Sequence, residues 1–410
     1  MTFRIYPLLF LIITSSVILG GYLLENLGVS YVSQGGSPFF KIHFYSYLTL
    51  VGFSVVFLRN GITGFSLRLG DFYRLWVISL FCVVFVIVYG YMRHGSSGMA
   101  YLVNTFLVPI LIVPLLTGLT DRQKYSLLKV IAYLILLNSL LAVVEYMLHF
   151  RLVSVEFSEF SFFRSTAFLT HPLNNALTTV SVALVLASRT KLPSFVYIVI
   201  VILALFAFGG RAALAVFFMI VVASVFFVLW RAATRGVRVN KQKVAIFMFI
   251  GYFVLLLASY ILLESGITER IVSKLYIDGS ATARFNVYYL LEQLNANEWF
   301  LGASDRLLES IEFYIGINVI ENYFIGWIFT FGLLGAIPLF LAVFVPLIYF
   351  FANGDFIDKL SVFSFILVGF SNNSLTTKTP VLLLLFTCLY LSLSVKKNLL
   401  LTNQYKKIWD

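Results

Sequence analysis

Charged side chains are scarce in this chain: they make up 11% of its 410 residues, against about 25% in an ordinary soluble protein. Hydrophobic residues fill 60% of it, and the mean hydropathy is +0.96. A soluble domain of this length cannot hide so much apolar surface, so a water-soluble enzyme is excluded, and the same composition excludes disorder. Cysteine is nearly absent. Cys82 and Cys388 both fall inside apolar runs, which argues against a disulfide framework. The 4 histidines form no cluster with Cys or Asp at ligand spacing, so no metal is expected. No Gly-x-x-x-x-Gly-Lys-Ser/Thr occurs, which argues against ATP-driven work. No nucleophile stands in a recognisable turn, so a Ser-His-Asp triad has no footing.

What the sequence does hold is continuous apolar runs of about 20 residues, the length a helix needs to cross a bilayer, rather than the alternating strands of a β-barrel. They predict an all-α, polytopic helical bundle forming a single membrane domain over 1–410. Its spans fall near 5–24, 42–58, 75–92, 99–117, 127–148, 172–188, 194–208, 212–230, 244–263, 322–350, 361–375 and 380–395, about twelve in all. The stretch 1–24 carries one early charge, Arg4, and is read as a retained first span. The run 323–351 is long for one crossing and is expected to bend near Pro338 or Pro346.

The net charge of +11 points to orientation rather than nucleic acid. Alternating sides of the spans hold 19 and 10 of the 29 basic residues, and the second side holds 13 of the 18 acidic ones. This predicts both termini on the inner side, with the basic loop 231–243 facing anionic lipid there. Two outer loops then stand out, 149–171 and the large 264–320.

Four places on the outer side can carry chemistry. In the first loop, Arg164 precedes His171, and Pro172 puts His171 at the mouth of a helix, with Asn174 just inside. Gly209 and Gly210 make a tight turn from which Arg211 opens the next helix, against the helix dipole and far from other polar residues. In the large loop, Arg284 lies in the first turn of a helix capped by Asp278 or Ser280, an arrangement suited to a phosphate. Glu321, followed by Asn322 and Tyr323, is the last charge before the long tenth run and can act as a base if desolvated. Each has a plainer reading: an interfacial His with a headgroup-binding Arg, a snorkelling Arg, an exposed Arg, and a helix cap.

Taken together, Arg164…His171-Pro172…Asn174, Gly210-Arg211, Arg284 and Glu321-Asn322-Tyr323-Phe324 before Gly332 and Gly335 resemble the O-antigen polymerase and ligase superfamily over roughly residues 150–340. The resemblance implies a bacterial inner-membrane glycosyltransferase with one large periplasmic loop, working on undecaprenyl-diphosphate-linked oligosaccharides without cofactor or metal. It implies that Arg164, Arg211 and Arg284 bind the diphosphate and that Glu321 or His171 takes the acceptor proton. Asn174, Asn322 and Tyr323 stand nearby as secondary substrate contacts. A chain-length regulator and a flippase are the implied partners. The ligase branch has His-Asn where this chain has Glu321-Asn322, which favours a polymerase of O-antigen, capsule or exopolysaccharide. The alternatives are an O-antigen ligase and a transporter or flippase of lipid-linked oligosaccharide. The scarcity of charge inside the spans argues against transport.

Overall fold

A computed structural model describes residues 5–33, 35–96, 99–153, 163–169, 171–235, 289–309, 320 and 322–409. Among these residues every regular element is helical. Five helices are long and apolar enough to cross a membrane: α3 (Phe44–Leu69), α4 (Phe72–His94), α6 (Asp121–Leu148), α9 (Arg211–Arg235) and α11 (Tyr323–Asn353). Shorter apolar helices are α1 (Ile5–Ile18), α5 (Val108–Leu116, preceded by a π-helical stretch Leu102–Leu107), α7 (Pro172–Leu186), α8 (Ser194–Ala207) and the first half of α13 (Val381–Trp409). The remaining helices are α2 (Gly21–Asn26), α10 (Ala296–Leu301) and α12 (Phe356–Gly369). The chain is a helical, multi-pass membrane protein. The predicted span 244–263, most of loops 231–243 and 264–320, Arg284 and Glu321 lie outside the described residues.

Local signals set the helix ends. Thr120 and Gln123 form a capping box at the start of α6, with bonds of 3.0 and 3.4 Å. Asp355 and Asp358 do the same for α12. Contacts divide the chain into two compact units, Met1–Ile220 with Ala296–Asp410, and Val221–Asn295. In the first unit α7 is the central post: all its residues except Leu173 are buried. Two of its hydroxyls turn back on its own backbone, Thr178 Oγ1 to Asn174 O (2.8 Å) and Ser181 Oγ to Leu177 O (2.6 Å). Ser361 and Ser364 of α12 donate to Ser181 O and Val180 O, a close approach through small polar residues typical of helices in lipid. By contrast α3 and α4 leave Leu58, Phe81 and Met92 exposed, apolar surface that suits lipid.

The expected bend in the 323–351 run falls at neither proline. Pro338 and Pro346 sit within helix, and the break is at Gly332 (φ 61°, ψ −173°). A side chain there would put its Cβ 2.2 Å from Phe300 O, because the end of α10 fills the break. Ala303 N donates to Phe329 O (2.7 Å) and His94 Nε2 to Thr330 O (2.9 Å), while Arg93 holds Gly302 O and Ala303 O at 2.8 and 3.0 Å. The carbonyls freed by the break are therefore satisfied by protein, as an apolar medium demands.

Candidate functional site

The residues of interest gather at one end of the bundle, and an extended strap, 163–169, begins the site. Its anchor is Glu145, buried near the end of α6, which accepts from Leu152 N (2.9 Å), Thr166 N (3.0 Å) and Ala167 N (2.9 Å). Asn138, two turns earlier, accepts from Phe168 N (3.1 Å) and donates to Asn175 Oδ1 (3.1 Å), and Asn175 Nδ2 returns to Thr166 O (2.5 Å). Ser165 completes the lacing through Oγ to Ala142 O (2.6 Å) and N to Ala207 O (3.0 Å). A backbone buried among apolar helices must satisfy its polar groups, and these α6 and α7 side chains supply the partners that a regular element would otherwise provide.

The strap delivers Arg164 to the α8–α9 turn. Gly209 has φ 68°, and a Cβ there would lie 2.9 Å from Arg164 Nε and 3.0 Å from its Cδ, so the absent side chain makes room for the guanidinium. Two residues on, Arg211 opens α9 and is exposed. Arg151 donates to Arg164 O (3.0 Å) and stacks on Phe163, its guanidinium carbon 4.8 Å from the ring centre. His171 caps α7, with Nδ1 accepting from Leu173 N (3.3 Å). The neutral ring therefore carries its proton on Nε2. Burial, reinforced by the charge of Arg164, lowers the His171 pKa to about 4, so the ring is neutral at neutral pH. Arg164 and His171, from one loop, are thus brought together with the turn leading to Arg211.

The loop 370–380 joins this cluster to the rest of the end face. Asn174 Nδ2 donates to Thr377 Oγ1 (3.1 Å) and Thr105 Oγ1 to Thr377 O (2.7 Å). Asn322 caps α11 through Phe324 N and Ile325 N at 3.0 and 3.3 Å, and its Nδ2 reaches Phe370 O (3.5 Å). Tyr323 is buried, its ring 4.7 Å from Trp327 and 5.4 Å from Phe370. Asn174, Asn322 and Tyr323 therefore all sit in structural contacts that hold this end together.

Sequence reasoning missed three contributors. Glu145 reads only as a peripheral charge near the outer end of its span, and the sequence singles out neither Asn138 nor Lys378. The available signal was a carboxylate and an amide two helical turns apart on one face of an otherwise apolar run. Among the described residues no group of His, Cys, Asp and Glu could hold a metal ion. No protein-family model and no curated protein matches the sequence.

Proposed function

We propose that this multi-pass membrane protein is a bacterial inner-membrane glycosyltransferase. In this reading it polymerises undecaprenyl-diphosphate-linked oligosaccharide repeat units at the periplasmic face, with the cluster end of the bundle outward. The observation that carries the reading is the meeting of Arg164 and His171, from the 149–171 loop, with the Gly209–Arg211 turn. Guanidinium groups at one end of the bundle suit a multiply charged oxyanion through their planar forks, and a lipid diphosphate is one that a membrane enzyme meets. The acceptor hydroxyl attacks the anomeric carbon, a C–O bond forms, and the bond from that carbon to the diphosphate oxygen breaks with its electron pair. Arg164 and Arg211, joined by Arg284, stabilise the charge growing on the leaving diphosphate. His171 donates from Nε2 to a phosphate oxygen, and Glu321 accepts the hydroxyl proton. Holding both lipids in one cleft supplies proximity, and direct displacement inverts the anomeric centre.

A discontinuous helix such as α11 also occurs in transporters, where the freed backbone lines the transport path. Here the groups freed at Gly332 are occupied by Ala303 and His94, which favours the enzyme. The test is the surface glycan of the source bacterium run on a gel. In a gene deletion the ladder collapses to a single repeat unit. Arg164→Ala and Arg211→Ala, at normal protein levels, shorten it similarly, each loss costing a factor of about 10² or more in rate. Arg→Lys keeps the charge but loses the bidentate fork, and restores little. Full-length polymer left on undecaprenyl diphosphate in the deletion would mean ligase, and an unchanged ladder would overturn the reading.

A further inference from the structure

A second group of cations consists of Lys378, in the 370–380 loop, and Lys41, just before α3. Lys378 donates from Nζ to Tyr31 O, and its ammonium stands 4.4 Å from the centre of the Tyr31 ring. Lys41 donates from Nζ to Ser33 O (2.5 Å). Two ammonium groups are thus drawn onto one three-residue stretch of backbone, near enough that the charge of Lys41 acts on Lys378. Among the described residues neither lies within ion-pair distance of a carboxylate. Glu25 is the nearby acid, but its Oε2 is engaged by Tyr31 N and Val32 N, both at 2.7 Å, and by Ser33 N at 3.4 Å. Lys378 also lines a small pocket with Tyr31, His43, Tyr45, Gly20 and Leu169. His43 Nε2 is turned away to Leu19 O (2.6 Å), and Tyr45 donates to Asn104 O (3.3 Å).

We propose that Lys378 and Lys41 form a second phosphoryl-binding site, distinct from the Arg164–Arg211 cluster, that takes the phosphate or diphosphate headgroup of a lipid. Two ammonium groups with no carboxylate in ion-pair contact suit a net-anionic headgroup, either a singly charged phosphodiester or a diphosphate, which relieves their repulsion as it binds. Neutral headgroups offer them nothing comparable. Burial, and then the charge of Lys41, lowers the Lys378 pKa to about 8, although the Glu25 carboxylate opposes the shift. The site stands on this geometry and not on the glycosyl-transfer reading.

The full chain, purified in detergent, is titrated separately with phosphatidylglycerol, undecaprenyl diphosphate and, as zwitterionic control, phosphatidylcholine, and bound lipid is counted by native mass spectrometry. Lys378→Gln and Lys41→Gln are each expected to weaken one equivalent of anionic lipid about tenfold, the loss of one charge-assisted contact. In the Arg164→Gln background, Lys378→Gln still removes that equivalent, and phosphatidylcholine does not fill it. Saturation by phosphatidylglycerol identifies a bilayer lipid as the ligand, and saturation by undecaprenyl diphosphate alone identifies a lipid-linked substrate. Lys41, on a loop, serves as the second variant if Lys378→Gln disturbs folding. The proposal is overturned if both lysine variants bind like wild type, or if Lys378→Gln removes nothing further from the Arg164→Gln protein. Loss of polymer in an Arg164 variant is a separate result and bears on the previous reading alone.

Discussion

Replacing Glu145 tests the logic of the strap. Its carboxylate serves three backbone N–H groups, those of Leu152, Thr166 and Ala167, at 2.9 to 3.0 Å. A hydrogen bond to a charged group contributes about 1.5–3 kcal/mol, and an orphaned buried N–H costs about 1–3 kcal/mol. Glu145→Ala orphans all three at once. Because neighbouring losses are not additive, about 3–6 kcal/mol is expected, a large share of a typical total of about 5–15 kcal/mol. Glu145→Gln can keep its oxygen toward Thr166 and Ala167 but turns an NH2 toward Leu152 N, so about one third to one half of that loss is expected. The measurement is the unfolding midpoint of the purified protein, with proteolytic nicking of 150–169 as the local readout. Alanine should lower the midpoint more than glutamine and expose the strap to protease. An alanine variant with wild-type midpoint and protection, or equal losses for the two variants, would refute the reasoning.

Four further outcomes follow from particular contacts. Gly209→Ala strains a left-handed residue by about 1–2 kcal/mol and pushes Arg164 aside, so glycan length should fall further than the change in thermal midpoint explains. Gly332→Ala places a Cβ against Phe300 O with no flexible side chain to yield, so the folded membrane-inserted protein should be nearly lost, as judged by size-exclusion profile. The His171 ring should titrate near pH 4 by NMR, and Arg164→Gln should raise its midpoint without reaching the ordinary value, since burial is the larger cause. The sign for stability follows: the unfolded ring binds its proton between about pH 6.5 and 4 while the folded ring does not, so stability falls as pH drops through that window, and His171→Gln should flatten the fall. Binding of anionic lipid at Lys378, where Lys41, Glu25, Tyr31, His43 and Tyr45 are its polar neighbours, should weaken as pH rises through about 8, and Lys378→Arg should remove that dependence.

Composition and apolar run length determine by themselves that this chain is helical and lives in a membrane, because each span must close its own backbone hydrogen bonds and a run of suitable length admits little else. Helix starts are equally local: Pro172 after His171, Asn322 before Tyr323 and the Thr120 capping box act within one turn. The Gly209–Gly210 turn into Arg211 is legible for the same reason. The site was legible only as residue types on one side of the spans. That Arg164 lies against Gly209 and His171, that Glu145 clasps a strap beginning some 20 residues later, and that Lys378 meets Tyr31 across a sequence separation of 347 depend on which helices pack together. The bend at Gly332 rather than at a proline belongs to the same class. A proline marks where a helix can lose a hydrogen bond, but only a partner such as α10, with Arg93 and His94 behind it, decides where the freed groups are satisfied and so where the break settles.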